Sequence, residues 1–249
     1  MEQGLSIVLI SGVPSNSDCI TNYKHLKELV ERHKNADLIC TGELYLLRDN
    51  AWFGRSKAWQ ELADVLEEIQ LLSSENNIAI CVGYPHKTSE SITIRQSIFF
   101  PEQETFHYDK VHLGKNERDI YEAGNIIEVT RYKGVTIGIQ LCIDTHIHEM
   151  TLMQKLKGAE LILAPFNTPY SVEKRMVNWK KYIPTRGYEY NLCYGCTNTG
   201  GGTFVVDGHG KEVCTSSEEQ DVKIIMIGSE QFNQKVDYMA YRRPEVYKY

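Results

Sequence analysis

Three stretches of this chain, LSIVLIS from Leu5, IAICVGYP from Ile78 and LILAPFN from Leu161, are apolar almost without a break. A strand with one face in water alternates polar and apolar residues, so continuous runs mark strands covered on both sides. Covering elements are legible between them. ITNYKHLKELVERHKN has helical spacing at Leu26, Leu29 and Val30, and residues 56–77 repeat it at Trp59, Leu62, Ala63, Leu66, Ile69 and Leu72. Ser56 is the candidate N-cap of that second helix, and Asn76-Asn77 ends it. A shorter buried strand covers Asp37 to Cys40.

Between residues 91 and 142 the rhythm changes to strand-sized pieces separated by polar turns, SITIRQSIFF, TFHYDKVHL, IIEVTRY and GVTIGIQLC. Helix and strand then alternate again through EMTLMQKLKG, ELILAPFN, SVEKRMVNWKKYIPTRGYEYN and LCYGCTN. GTFVVDGHGKEV reads as a hairpin turning at Asp207-Gly208 or His209-Gly210, and VKIIMIG is a last strand. With 249 residues, 42% of them hydrophobic, the chain can bury a full core. The expectation is one mixed α/β domain over residues 1–249, with helices covering the sheets.

A formal net charge of −6 without a compensating basic stripe excludes nucleic acid as an expected partner. No run approaches the roughly 20 apolar residues that span a bilayer, so no membrane association is expected. MEQGLSIVLISG has an acid where an export signal has basic residues, and the seven cysteines are odd in number and scattered. A reducing cytoplasm fits these features, with Cys40, Cys81 and Cys193 as small buried hydrophobes.

Three apolar runs break abruptly into a reactive group. Glu43 ends ADLICTGE, Lys110 follows TFHYD, and Cys142 follows GVTIGIQL. A thiolate attacks an amide carbon well and a thiol poorly, so a base must take the proton and later return it to the departing amine. A carboxylate in a partly apolar site does both, and Glu43 has that setting. The oxyanion formed on attack needs preorganised donors, which Lys110 and the backbone N–H of Ile143 could supply. These groups suit hydrolysis of a carbon–nitrogen bond.

The motifs around those residues, YDKVHL at Lys110 and CIDTHIHE from Cys142 to Glu149, with Asp144 two positions after the cysteine, resemble the nitrilase superfamily of carbon–nitrogen hydrolases. LILAPFN, CTNTGG, FVVDGHG and the closing YRRPEVY are similar to further landmarks of that family, so the resemblance covers essentially the whole chain. It implies Glu43, Lys110 and Cys142 as the catalytic set. Glu117, seven residues before Gly124, would be a second glutamate that orients Lys110 or assists proton transfer. It further implies a four-layer αββα sandwich of two mixed sheets flanked by helices, a thioester acyl-enzyme on Cys142 and a homo-oligomer, a dimer or larger. The expected substrate is a small non-peptide amide, cleaved to acid and ammonia, with no cofactor or metal. The chain departs from the pattern where Thr145 and His146 stand in place of a carboxylate-binding arginine, and where His148 replaces a common proline.

Candidate pocket residues are Ile143, His146, Phe166, Asn167 and Tyr45, with Trp52 and Phe53 as further apolar wall, shaped by loops 45–56, 112–124 and 168–178. His146 and His148, at i and i+2, share no helical face and lack a third ligand for a metal. The Cys193–Cys196 pair lies in a strand pattern, which argues for packing over redox or zinc chemistry. Competing readings are nitrile hydrolysis or acyl transfer by the same three groups, activation of Cys142 by His112 or His146, and a non-catalytic protein that keeps the fold.

Overall fold

Each long apolar run becomes an inner strand of one of two six-stranded sheets. The computed structural model describes residues 4–48, 54–231 and 236–247. The first sheet contains β1 (Leu5–Ser11), β2 (Leu38–Cys40), β3 (Ala79–Lys87), β4 (Ile92–Phe99), β5 (Phe106–Asp109) and, from the far end of the chain, β12 (Asp221–Ile227). The second contains β6 (Val129–Tyr132), β7 (Val135–Ile139), β8 (Leu161–Phe166), β9 (Cys193–Asn198), β10 (Thr203–Val206) and β11 (Glu212–Ser216). Their orders are β12-β1-β2-β3-β4-β5 and β11-β10-β9-β8-β7-β6. Within each, three central strands are parallel, β1 to β3 and β7 to β9, and the outer pairings are antiparallel.

Strand period decides which layer each side chain joins. Leu5, Ile7 and Leu9 point between the sheets, where they share a core with Ile137, Ile139, Leu161 and Leu163. Val8 and Ile10 point the other way, into a core with α1 (Cys19–Arg32) and α2 (Ser56–Asn76). Ile162, Ala164 and Phe166 of β8 likewise leave the inter-sheet core and pack with α4 (Val172–Tyr190). Each such fully buried aliphatic side chain contributes roughly 1.5–3 kcal/mol, which is why both faces of the inner strands stay apolar. Two sheets face to face between helix layers form the αββα sandwich that the resemblance implies.

Local signals account for most helix ends. Asp18 caps α1 through the Thr21 N–H at 3.1 Å, and Ser171 caps α4 through the Lys174 N–H. Asn77 and Asn191 close α2 and α4 in left-handed backbone, a conformation that asparagine tolerates well. Ser56 is not the cap of α2. It is the first helical residue, and Arg55 holds the cap position without a side-chain bond. On the same helix Ala63 faces solvent and Val65 is buried instead, because the apolar stripe drifts around a helix of this length. Among the described residues, no helix is long and apolar enough to cross a membrane.

Candidate active site

The parallel strands of each sheet end on the same side of the sandwich, and the loops leaving those ends carry the reactive groups. Open α/β sheets place ligands outside such carboxyl ends. Glu43 lies three residues past β2 and Lys110 immediately follows β5. Cys142 lies three residues past β7, where it opens a 3-10 turn over Cys142–His146 and does not end a strand. A short α3 (His148–Leu156) follows.

Close backbone approach draws the two sheets together here. The Glu43 N–H donates to the Phe166 carbonyl of the second sheet at 3.3 Å, and the Thr199 N–H donates to the same oxygen at 3.0 Å. A Cβ at Gly42 would lie 2.5 Å from the Thr199 nitrogen, so only glycine permits this approach. Two non-glycine residues accept left-handed backbone nearby, Leu44 with φ 54° and Cys142 with φ 48°. Such strain, of order 1–3 kcal/mol, persists only where surrounding contacts fix it. Around Cys142 they do. The Thr145 hydroxyl donates to the Cys142 carbonyl at 2.6 Å and meets the Tyr182 hydroxyl at 2.9 Å.

Lys110 sits between two carboxylates. Its Nζ donates to Glu43 Oε1 and to Glu117 Oε1, each at 2.7 Å, and its side chain is 1% exposed. Glu117 Oε2 accepts the Gly114 N–H at 2.6 Å, so both of its oxygens are engaged. Glu43 is different. It is fully buried, and its Oε2 has no hydrogen-bond partner among the described residues.

Burial pushes Glu43 up to about 7; Lys110 opposes the shift, and the charges of Glu117 and Asp144 reinforce it. Burial works against the Lys110 charge, but Glu43, Cys142 and Glu117 outweigh it and hold this ammonium above the ordinary lysine value. The Cys142 thiol is pushed up to about 12 by burial and the Glu43 charge, against Lys110 and the Asn167 N–H, which faces the sulfur. The thiol therefore stays protonated at neutral pH until a base takes its proton.

Asp144 ties the cysteine turn to the lysine strand. Its carboxylate accepts from the Tyr108 hydroxyl at 2.7 Å, the His112 N–H at 2.9 Å, the His112 ring at 2.8 Å and the Leu141 N–H at 3.0 Å. The motif contains this aspartate, but sequence alone left its partners on the lysine strand undefined, because Tyr108 and His112 lie 36 and 32 residues away. His112 is thereby committed to Asp144, and the His146 ring packs against Tyr182 at 4.2 Å between centroids, tilted by 34°. Neither imidazole hydrogen-bonds Cys142 among the described residues.

A cleft of about 680 Å³ opens beside these groups, lined by Cys142, Glu117, Ile143, His146 and Asn167 together with Arg48 and Tyr170. The Ile143 N–H has no acceptor among the described residues. Two expected pocket residues are elsewhere. Tyr45 is fully buried in the helix-side core with its hydroxyl 2.8 Å from the His25 ring. The left-handed turn at Leu44 redirects the chain there. The Phe166 ring packs on Trp179 at 4.8 Å, because β8 alternation turns it to α4; only its carbonyl serves the site. Trp52 and Phe53 lie outside the described residues. Arg48, which the sequence did not single out, is part of the wall. Cys193 and Cys196 are buried in β9. Among the described residues, no three His, Cys, Asp or Glu side chains group as a metal site.

An αββα sandwich with a buried carboxylate, a buried ammonium and a thiol gathered at its strand ends is the architecture of the nitrilase superfamily. Residues 8–233 match the carbon-nitrogen hydrolase family, and the chain belongs to it. The fold is similar to that of an amidase from Nesterenkonia sp., with a TM-score of 0.86 and 19% identity, covering 99% of this chain and 96% of that one. An (R)-stereoselective amidase from a Pseudomonas species is 21% identical, over 86% of this chain and 85% of the relative. A probable nitrilase from Schizosaccharomyces pombe is 23% identical over 72% of this chain, which spans 66% of that relative's length.

Proposed function

We propose that the protein hydrolyses small non-peptide amides through a thioester on Cys142. The observation that carries this reading is the buried Oε2 of Glu43, unpartnered among the described residues, in a carboxylate poised near neutral pH beside a protonated thiol. Glu43 takes the Cys142 proton as sulfur bonds to the amide carbon. The negative charge that develops on oxygen meets the third N–H of Lys110, whose other two are held by Glu43 and Glu117, and the Ile143 N–H. Glu43 then protonates the nitrogen, the carbon–nitrogen bond breaks and ammonia leaves. Water attacks the thioester and loses its proton to Glu43; the carbon–sulfur bond breaks, and the proton returns to sulfur as the acid departs. Glu117, with both oxygens committed, positions Lys110. Relatives named as amidases support an amide substrate, while the relative named as a probable nitrilase keeps nitriles in the panel below.

Incubation with a panel of small amides and their nitriles, followed by intact-protein mass spectra and an ammonia assay, tests the proposal. The expected result is ammonia release from amides and an acyl mass gain that maps to the Cys142 peptide. Consumption of nitriles in place of amides would redirect the reading to a nitrilase. An adduct on any other residue would overturn it.

The pH dependence follows from Glu43. Only the ionised carboxylate accepts the thiol proton, so kcat/KM should rise with pH through about 7 and then level, since Lys110 stays charged far above that. Glu117→Gln removes a negative charge that raises Glu43, so the rise should move to lower pH even as overall turnover falls. A shift to higher pH would contradict this electrostatic account.

A further inference from the structure

The peptide group between Phe166 and Asn167 has both of its polar ends committed inside the site. Its carbonyl accepts the Glu43 N–H at 3.3 Å and the Thr199 N–H at 3.0 Å, so the base loop and the loop after β9 hold it from one side. No described peptide bond is cis, and in a trans peptide the N–H points opposite the carbonyl. The Asn167 N–H therefore leaves on the other side, where it faces the Cys142 sulfur. Two donors on the carbonyl polarise the group and strengthen its N–H as a donor.

Further contacts fix the residues that follow. The buried Thr199 donates its hydroxyl to Asn167 Oδ1 at 3.0 Å, and Asn198 Oδ1 accepts the Thr168 N–H at 2.9 Å. Arg175, in the first turn of α4 and 2% exposed, spends its guanidinium on the same loop. Its Nε donates to the Thr168 hydroxyl at 2.7 Å. One terminal nitrogen donates to the Thr168 and Tyr170 carbonyls at 3.0 and 2.7 Å, and the other to the Gly201 carbonyl. A desolvated guanidinium is costly to bury without such partners, so these four bonds fix the backbone they reach. Burial and the Arg48 charge lower its pKa to about 10 while Cys142 opposes the shift, which places guanidinium and sulfur within electrostatic reach.

The sulfur needs a donor of its own. In the scheme above it carries negative charge twice, as Glu43 takes its proton and as water opens the thioester. Burial and the Glu43 charge both disfavour that state. Lys110 and the Ile143 N–H meet the carbonyl oxygen instead.

We propose that the Asn167 N–H is a catalytic donor to the Cys142 sulfur, separate from the oxyanion donors, and that Arg175 is the positioning residue that aims it. This rests on the amide-hydrolase reading above and deepens it. When the carbon–sulfur bond breaks, its electron pair returns to sulfur beside the Asn167 N–H until Glu43 gives back the proton.

Alkylation by iodoacetamide, read on the Cys142 peptide by mass spectrometry, reports on the sulfur without amide turnover. An ester in place of the Phe166–Asn167 peptide deletes the N–H and no side chain. It should slow alkylation and lower amide kcat by about 10- to 100-fold, with KM changed less. Arg175→Met should lower both by about 10-fold. Arg175→Lys keeps the charge but not the fork, so it should recover only part of the loss; full recovery would assign the effect to charge and overturn the positioning role. Glu43, Lys110 and Glu117, whose charges act on the sulfur, stay in place throughout. Parent-like alkylation and kcat in the ester protein, or in Arg175→Met should the ester protein not fold, would overturn the proposal. So would a rise in KM alone, which is what a loop that merely walls the cleft would give. Slower alkylation of the ester protein, in a chain that releases no ammonia from any amide, would support the sulfur donor and sink the hydrolytic reading instead.

Discussion

Cys142→Ala is expected to lower amide turnover by on the order of 10⁴- to 10⁶-fold while leaving the melting temperature within a few degrees of the parent protein. The first half follows from the proposed chemistry. Without sulfur no thioester forms, and the groups that remain can only polarise the carbonyl. The second half follows from the backbone. Residue 142 has φ 48°, and alanine carries the same left-handed penalty as cysteine, so the substitution neither relieves nor adds strain. The turn is held by Thr145 and Asp144 through contacts that do not involve the thiol. Ammonia release and a thermal melt on the same preparation check both halves. Turnover within tenfold of the parent would dismiss Cys142 as nucleophile, whereas a large fall in melting temperature would show that the sulfur supports the turn.

Lys110→Met should be the most damaging substitution for stability and should also lower turnover by about 10²- to 10³-fold through loss of an oxyanion donor. Methionine fills a similar volume but leaves Glu43 buried without a countercharge, and breaking such a pair costs about 3–5 kcal/mol. The cost depends on pH. The folded pKa of Glu43 lies above the ordinary carboxyl value, so its favourable contribution is present at low pH and is lost as pH rises through about 7. Lys110 pulls that pKa down, so its removal moves the loss to higher pH and makes an ionised Glu43 costlier still. The variant should therefore lie closer to the parent at pH 5 than at pH 8. Adding Glu43→Gln to Lys110→Met should recover part of the lost stability, because the uncompensated charge is then gone. Denaturant melts at the two pH values decide this. A deficit independent of pH and unrelieved by Glu43→Gln would show that Lys110 acts through packing alone.

Much of the fold was legible from local pattern. The unbroken runs at Leu5, Ile78 and Leu161 became inner strands, and the helical stripes became α1, α2 and α4. Period 2 and period 3.6 are properties of consecutive residues, so the chain states them directly. Residue types in motifs are equally local, which is why Glu43, Lys110, Glu117 and Cys142 could be named before their contacts were known. Their meeting could not be derived the same way. The Lys110 bond to Glu43 spans 67 residues, and Glu43 reaches its place only because its N–H crosses to the carbonyl of Phe166 in the other sheet.

The errors fall where period gives no guidance. Tyr45 lies in a loop, and the left-handed Leu44 before it cancels any inference about which way its ring points. Phe166 reads as apolar pocket wall from its residue type alone, but it is the last residue of β8 and strand alternation turns its ring to α4, away from the cleft that Asn167 lines. Arg48 carried no signal at all, since an arginine in a loop is usually solvated. The sequence by itself determined the elements, the layers and the inventory of reactive groups, because these depend on neighbours along the chain. Only the tertiary structure decided which carboxylate oxygen stays unpaired, how far burial moves Glu43 and Cys142, and which cation faces the cleft, because desolvation and charge pairing depend on neighbours in space.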